Sequence, residues 1–184
     1  MHKTSIIILT YNNLKYTKEC LESIQKYTED GSYELIIVDN HSTDQTVDWL
    51  KKQKDLKVIY NKENVGFPKG CNQGIAIADP YNDILLLNND TIVTTNWLKN
   101  LQTCLYSDPT IGAVGPTCNQ NENLQGAKFT YETFPEMQEK ALRNNISDPN
   151  RWEEKVFLIG FCLLIKREVI NKIKTLDEAY TPGY

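Results

Sequence analysis

Four short apolar runs, each followed by a polar cluster and then a helical pattern, constrain this chain more than any other feature. Ser5–Leu9 (SIIIL), Glu34–Val38 (ELIIV), Lys57–Tyr60 (KVIY) and Asp83–Leu87 (DILLL) are rich in β-branched and leucine residues and do not alternate with polar ones. Ser5–Leu9 and Glu34–Val38 read as strands buried on both faces, Lys57–Tyr60 as a short third strand and Asp83–Leu87 as a fourth. Between them lie helical spacings: Thr17, Cys20, Leu21, Ile24 and Tyr27 within Leu14–Tyr27; Val47–Lys52; Cys71, Ile75 and Ala78 after Pro68; and Trp97, Leu98, Leu101 and Leu105 after the fourth run. Ser42 and Gln45 form an S-x-x-Q pattern that predicts a capping box for the second helix. Ile111–Val114 predicts a fifth strand. Strand and helix in alternation predict an α/β fold with a mixed, mostly parallel sheet flanked by helices.

Beyond about Pro116 the pattern weakens. Asn119–Gln125 reads as a polar loop, Lys128–Phe134 as an exposed strand and Glu136–Asn144 as a helix. Val156–Ile165 reads as a buried strand, followed by a helix near Glu168–Ile173. The 184 residues are enough for one domain with a sizeable core. Hydrophobic residues at 40% and charged ones at 24% mark a globular chain. A formal net charge of -4 argues against a nucleic-acid partner, whose phosphates want a basic face. The five cysteines, Cys20, Cys71, Cys104, Cys118 and Cys162, make no CxxC and suit a reducing compartment. No apolar run is long enough to span a bilayer. A cytoplasmic location is therefore expected, with contact at the inner face of the membrane supplied by the substrate or by other sequence.

In open α/β sheets ligands bind outside the carboxyl ends of the strands. Here polar residues follow every one of the four runs: Thr10, Tyr11, Asn12 and Asn13; Asp39, Asn40, His41 and Ser42; Asn61 and then Asn64-Val65-Gly66; and Asn88, Asn89, Asp90 and Thr91. Turn chemistry favours such residues too, but four clusters on one rim predict a site. A dinucleotide fold would place its glycine fingerprint after the first strand, and Thr10–Asn13 has no glycine. No G-x-x-x-x-G-K-[ST] occurs. His41 reads as a loop histidine, and Trp49, Trp97 and Trp152 as packing residues.

Together TSIIILTYNN, ELIIVDNHSTDQT, NKENVGFPKGCNQGIAIA and DILLLNNDTIV resemble the nucleotide-sugar-binding half of family 2 glycosyltransferases. GPTCN, FLIGFCLLIKREV and LDEAYTPGY are similar to the rhamnosyltransferase-like branch. The resemblance implies one GT-A domain over 1–184, with 1–115 the donor half and 116–184 the start of the acceptor half. It implies transfer of a sugar, with inversion, from a UDP- or dTDP-sugar to a glycan or lipid-linked acceptor. Thr10, Tyr11 and Asn12 would line the base pocket. Asp39 would accept a hydrogen bond from the imide N–H of uracil or thymine, beside Asn40 and Ser42. Asn64, Gly66, Lys69, Gly70 and Asn72 would lie along the sugar and diphosphate, with Asn89 nearby, while Gly74 would pack on the sheet. Asn88-Asn89-Asp90 stands where the family has D-x-D, so Asp90, helped by Asn88, would hold Mg²⁺ or Mn²⁺. Only Asp90 of that motif is acidic here, so metal binding should be weak without nucleotide.

In the family an acidic cluster carrying the base follows a stretch like LDEAYTPGY. Asp177 and Glu178 belong to the segment before it, so no catalytic base is assigned within the chain, and a donor-binding fragment with poor transfer is expected. The alternatives are a non-catalytic nucleotide- or partner-binding module of the same fold, and a sugar nucleotidyltransferase. The latter should carry a glycine- and arginine-rich loop that TYNN lacks.

Overall fold

The computed structural model of the chain describes residues 2–119, 125–126 and 130–180. The elements run β1 (Thr4–Thr10), α1 (Leu14–Tyr27), β2 (Tyr33–Asp39), α2 (Thr46–Leu50), β3 (Lys57–Tyr60), α3 (Phe67–Ile77), β4 (Asp83–Asn88), α4 (Trp97–Leu105), β5 (Ala113–Val114), α5 (Phe134–Asn144), β6 (Cys162–Ile165) and α6 (Arg167–Ile173). Single 3₁₀ turns occupy Pro149–Arg151 and Glu178–Tyr180.

One sheet has the order β3-β2-β1-β4-β6-β5. β1 pairs in parallel with both β2 and β4, and β2 with β3. β6 runs antiparallel to β4 and to β5. The chain leaves β1 toward β2 and β3, then α3 carries it back across to β4 on the other side. The order therefore reverses at β1, and the carboxyl ends of β1, β2 and β4 meet at a topological switch point.

β1, β2 and β4 are buried on both faces because helices cover both, whereas β3 is the edge strand and only partly buried. Ile6, Ile8, Leu35, Ile37, Leu85 and Leu87 pack with Cys20, Leu21 and Ile24 of α1 and with Leu98, Leu101 and Leu105 of α4. Ile7, Ile36, Val38, Ile84 and Leu86 pack with Cys71 and Ile75 of α3 and Ile170 of α6. Each such side chain contributes on the order of 2 kcal/mol by leaving water. Along each strand the side chains alternate between these two layers, so the residue after the last core position fixes which face a rim residue takes.

Three expectations change. The Ser42–Gln45 capping box does not form: α2 starts at Thr46 with no side-chain cap from Gln45, and the Ser42 hydroxyl is bonded elsewhere. The strand expected over Lys128–Phe134 is absent from its described part, while 128 and 129 lie outside the described residues. Thr133 instead caps α5, its Oγ1 accepting from the Glu136 N–H at 3.3 Å. T-x-x-E capping outweighed the alternating pattern. The strand expected over Val156–Ile165 shrinks to Cys162–Ile165, and Val156 and Phe157 are exposed. Only its second half has β4 to pair with. The polar loop at Asn119–Gln125 falls mostly outside the described residues. Its last residue, Gln125, is buried, donating to the Pro116 carbonyl at 2.7 Å and accepting from the Ile159 N–H at 2.6 Å.

Candidate donor site

Register brings the rim residues together. Thr10 stands opposite Asp39, Asp39 opposite Tyr60, and Leu9 opposite Asn88. Asp39 and Asn88 thus flank β1 on either side, at the level where it ends. Thr10, Asp39 and Tyr60 continue the face that carries Ile8, Ile37 and Val58, which is the α1 side of the sheet.

Asp39 is 1% exposed. Its Oδ1 accepts from the Ser42 N–H at 3.0 Å. Its Oδ2 is buried with no hydrogen-bond partner. An unpartnered buried carboxylate oxygen is costly, and it sits at the switch point. Beside it, burial and then the Asp39 charge push the Tyr60 hydroxyl above the ordinary tyrosine value.

The loops after β1 and β2 are cross-bonded. The Asn12 N–H donates to Ser42 Oγ at 2.7 Å. Asn12 Oδ1 accepts from the Thr43 N–H at 2.8 Å, from the Thr43 hydroxyl at 3.3 Å and from the Asp44 N–H at 3.3 Å. Asp44 accepts in turn from the N–H groups of Leu14 and Thr46 at 3.3 and 2.9 Å. Burial alone would raise the Asp44 pKa, but these donors outweigh it and hold the carboxyl below its usual value. Tyr11 is 49% exposed between the loops.

A second cluster closes the β4 side. Thr10 and Thr17 hydroxyls lie 2.9 Å apart, and Asn89 Nδ2 donates to Thr17 at 3.0 Å and to Thr10 at 3.5 Å. Asn88, Asn89, Asp90 and Thr91 make a β-turn, with the Thr91 N–H donating to the Asn88 carbonyl at 3.3 Å. Asp90 is exposed on this turn, and among the described residues its carboxylate accepts no hydrogen bond. Its charge reaches the floor: burial first, then Asp90, push the Cys20 thiol up to about 12.

On the third side, Asn64 Oδ1 accepts from the Gly66 N–H at 2.9 Å, and Gly66 (φ 80°) leads into α3. Asn40 is buried, donating to the Gly66 carbonyl at 3.3 Å and accepting from Asn61 at 2.8 Å. Lys69 is exposed. Gly70 serves helix–sheet contact: an added Cβ would lie 2.6 Å from Leu9 Cδ2, and at Gly74 2.5 Å from Ile7 Cγ2. Glycine at 70 thus lets α3 lie close on β1. Asn72 is also engaged. Its Nδ2 donates to the Leu176 carbonyl at 3.0 Å and to Glu178 Oε1 at 2.9 Å, and its Oδ1 accepts from the Leu176 N–H at 2.8 Å.

Sequence reasoning passed over Thr17, Tyr60, Gln73 and Asp44 as site residues, and named Asn61 only as part of the rim. Thr17 reads as one core position of α1, and only the register shows that it meets Thr10 and Asn89. Asn61 and Gln73 bond each other at 2.8 and 2.9 Å and brace Asn40.

No group of three His, Cys, Asp or Glu side chains able to hold a metal exists among the described residues. One free carboxylate with a neighbouring amide oxygen suits a hard ion that brings its other oxygens with it, from water and diphosphate. It does not suit an ion held by protein alone. Among the described residues no helix is long and apolar enough to cross a membrane.

Comparison with known proteins bears on the fold and the family. The glycosyltransferase GlyG of Streptococcus pneumoniae serotype 4 is 25% identical over 178 residues, covering 92% of this chain and 58% of that protein. The mannosyltransferase PcManGT of Pyrobaculum calidifontis, solved with GDP-Man and Mn²⁺, superposes with a TM-score of 0.67 at 22% identity, over 96% of this chain and 48% of that one. Residues 1-349 of Staphylococcus aureus TarS, solved with UDP, superpose with a TM-score of 0.68 at 19% identity, over 97% and 51%. This chain therefore spans about half the length of the relatives it matches. The fold is GT-A. The family model described as Glycosyl transferase family 2 matches residues 5–174, and the chain belongs to that family.

Proposed function

We propose that this chain binds the nucleoside diphosphate of a UDP- or dTDP-sugar at the ends of β1, β2 and β4, and so forms the donor side of a glycosyltransferase acting on a glycan or lipid-linked acceptor with inversion. The observation that carries the reading is Asp39 Oδ2, buried at the switch point with no partner. Uracil and thymine offer one imide N–H, which a single acceptor oxygen satisfies. Cytosine offers none there. Guanine offers two adjacent donors, which a carboxylate with one oxygen already committed to Ser42 serves less well.

Tyr11 and Tyr60 would wall the base, and the start of α3 behind Gly66 would face the diphosphate, with Lys69 at its edge. Asp90, with Asn88, would hold Mg²⁺ or Mn²⁺ once diphosphate oxygens complete its shell. A bound ion of this kind neutralises charge on the leaving diphosphate. Residues 1–115 would serve the donor and 116–184 the acceptor. The solved relatives that carry GDP-Man with Mn²⁺, or UDP, support nucleotide use in this fold.

The test is calorimetric titration of the purified chain with UDP, dTDP and GDP, each with and without Mn²⁺. UDP and dTDP should bind more tightly than GDP, and Mn²⁺ should strengthen them. Metal-independent binding would favour a module that holds nucleotide without transfer, the reading that the single carboxylate of NND invites. Failure of all three nucleotides to bind would sink the proposal.

A further inference from the structure

Asn12, which the resemblance places at the base pocket, also ties the loops after β1 and β2 together. Its carbonyl accepts from the Thr10 hydroxyl at 3.3 Å. Its N–H is held by Ser42 Oγ at 2.7 Å, and its Oδ1 gathers the Thr43 N–H at 2.8 Å, the Thr43 hydroxyl at 3.3 Å and the Asp44 N–H at 3.3 Å. The same Ser42 donates its backbone N–H to Asp39 Oδ1 at 3.0 Å. The chain of contacts therefore runs from Asn12 through Ser42 to the carboxylate with the unpartnered oxygen.

The backbone is shaped for this arrangement. Asn12, Asn13 and His41 have φ of 60°, 58° and 72°. Non-glycine residues in that region are uncommon and cost about 1 kcal/mol or more each, asparagine least. Left-handed residues on both loops turn them toward each other, and the amide of Asn12 closes the gap. Toward the loop after β2 the Asn12 side chain works as an acceptor, through Oδ1.

The geometry points to Asn12 as a positioning residue: with Ser42 it forms a latch between the two loops that turns Asp39 Oδ2 toward the nucleobase and sets the preference for a base with one imide donor. The inference rests on the nucleotide reading of the same site. The carboxylate has two oxygens and a free torsion. Without the latch the Ser42 N–H no longer fixes which oxygen is committed, and the acceptor is no longer presented singly.

Two substitutions separate positioning from direct contact. Asn12→Gly removes the acceptor while accommodating the positive φ, so no strain is added. Asn12→Asp keeps an acceptor oxygen and loses only the Nδ2 donor. Calorimetry with UDP and GDP, with thermal unfolding to establish folding, reads the outcome. Loss of two to three acceptor contacts should weaken UDP binding by Asn12→Gly about tenfold or more, and narrow the preference for UDP over GDP. Asn12→Asp should bind UDP markedly better than Asn12→Gly, some loss coming from the added charge near Asp39 and Asp44. Ser42→Ala, which removes only the Oγ acceptor, should weaken UDP less than Asn12→Gly, and serves in its place if that variant does not fold.

UDP binding by Asn12→Gly equal to wild type would overturn the latch. So would Asn12→Asp as weak as Asn12→Gly, because that marks a direct donor to the base. Wild-type chain that binds no nucleotide overturns the nucleotide reading and the latch with it. Wild-type binding that Asn12→Gly leaves unchanged overturns the latch alone.

Discussion

Thr10 and Asp39 are register partners on adjacent parallel strands, and their side chains leave the sheet on one face at the end of both strands. Thr10 is hydrogen-bonded to Thr17, whereas Asp39 keeps one oxygen without a partner. The same row therefore holds a satisfied residue and an unsatisfied one. Asp39→Asn should expose what that arrangement is for. Its Oδ1 still accepts from the Ser42 N–H, and a buried charge disappears. The free protein should melt no more than a few degrees below wild type, or above it. The stabilisation by UDP, about 2.7 kcal/mol at a hundred times Kd, should vanish. Differential scanning calorimetry with and without UDP decides it. An undiminished UDP shift would remove Asp39 from the site.

Asp90 and Asn88 argue a second prediction. With one carboxylate, the turn should capture Mn²⁺ only alongside diphosphate. Asp90→Ala should abolish the increment that Mn²⁺ adds to UDP binding and leave metal-free binding nearly unchanged. Asn88→Asp restores a second carboxylate and should raise Mn²⁺ affinity in the absence of nucleotide by tenfold or so. Manganese paramagnetic resonance of the free chain measures this directly. Equal Mn²⁺ binding by wild type and Asn88→Asp would show that Asn88 does not face the ion.

How far the sequence carried depended on whether a residue's partners were near it in the chain. β1, β2 and β4 were readable because doubly covered strands are continuous apolar runs, and the edge strand β3 from the short apolar run at Lys57–Tyr60. The polar clusters after them were readable because strand ends and rim coincide in a parallel sheet. Ser42 was misassigned because S-x-x-Q is a local rule, and its hydroxyl is claimed by Asn12, thirty residues away. Asn72 was placed beside the donor from its position on α3, but its amide meets Leu176 and Glu178 across 104 and 106 residues. Cys162–Ile165 was overextended because an antiparallel strand lasts only as long as its neighbour, and no local pattern marks where β4 stops pairing.

The Asn72 contacts give a third prediction. If this side chain braces the Leu176–Glu178 segment, Asn72→Ala should leave the Kd for UDP within about twofold. Protection of the Leu176 amide from hydrogen exchange should fall, since its N–H loses its acceptor. A large loss of UDP affinity with unchanged exchange would return Asn72 to the donor site.

Glu34 governs a pH dependence at the opposite end of the sheet. Burial on its own would raise its pKa, but hydrogen bonds from Lys57, Ser5 and the Asp79 N–H outweigh it and hold the carboxyl below the usual glutamate value. A folded-state pKa below the unfolded one adds stability that is complete above the unfolded value and is lost as pH falls through the folded value. Glu34→Gln should therefore destabilise the chain at pH 7 and converge with wild type in acid, below the usual glutamate pKa. Urea unfolding at pH 7 and at successively lower pH should show a gap that closes as pH falls through the folded-state value. A gap of constant size would mean that Glu34 acts through packing alone.

Gly70 and Gly74 differ in what they face, and the difference sets their cost. Alanine in a helix interior gains about 1 kcal/mol over glycine in propensity. Against that, a Cβ at 70 meets the Cδ2 end of Leu9, which is only half-buried and can rotate. At 74 it meets Cγ2 of Ile7, a β-branched side chain 1% exposed in the core with no rotamer to yield to. Overpacking of that kind costs about 1–3 kcal/mol. Gly70→Ala should be near neutral, and Gly74→Ala should lose up to about 2 kcal/mol after the propensity gain. Because α3 also carries the rim at Gly66, Gly74→Ala should weaken UDP as well, by pushing the helix off β1. Paired urea denaturation and UDP titration of both variants read the two effects. A Gly74→Ala protein as stable as Gly70→Ala would mean that the α3–β1 contact is loose enough to give, and that it does not set the height of the rim.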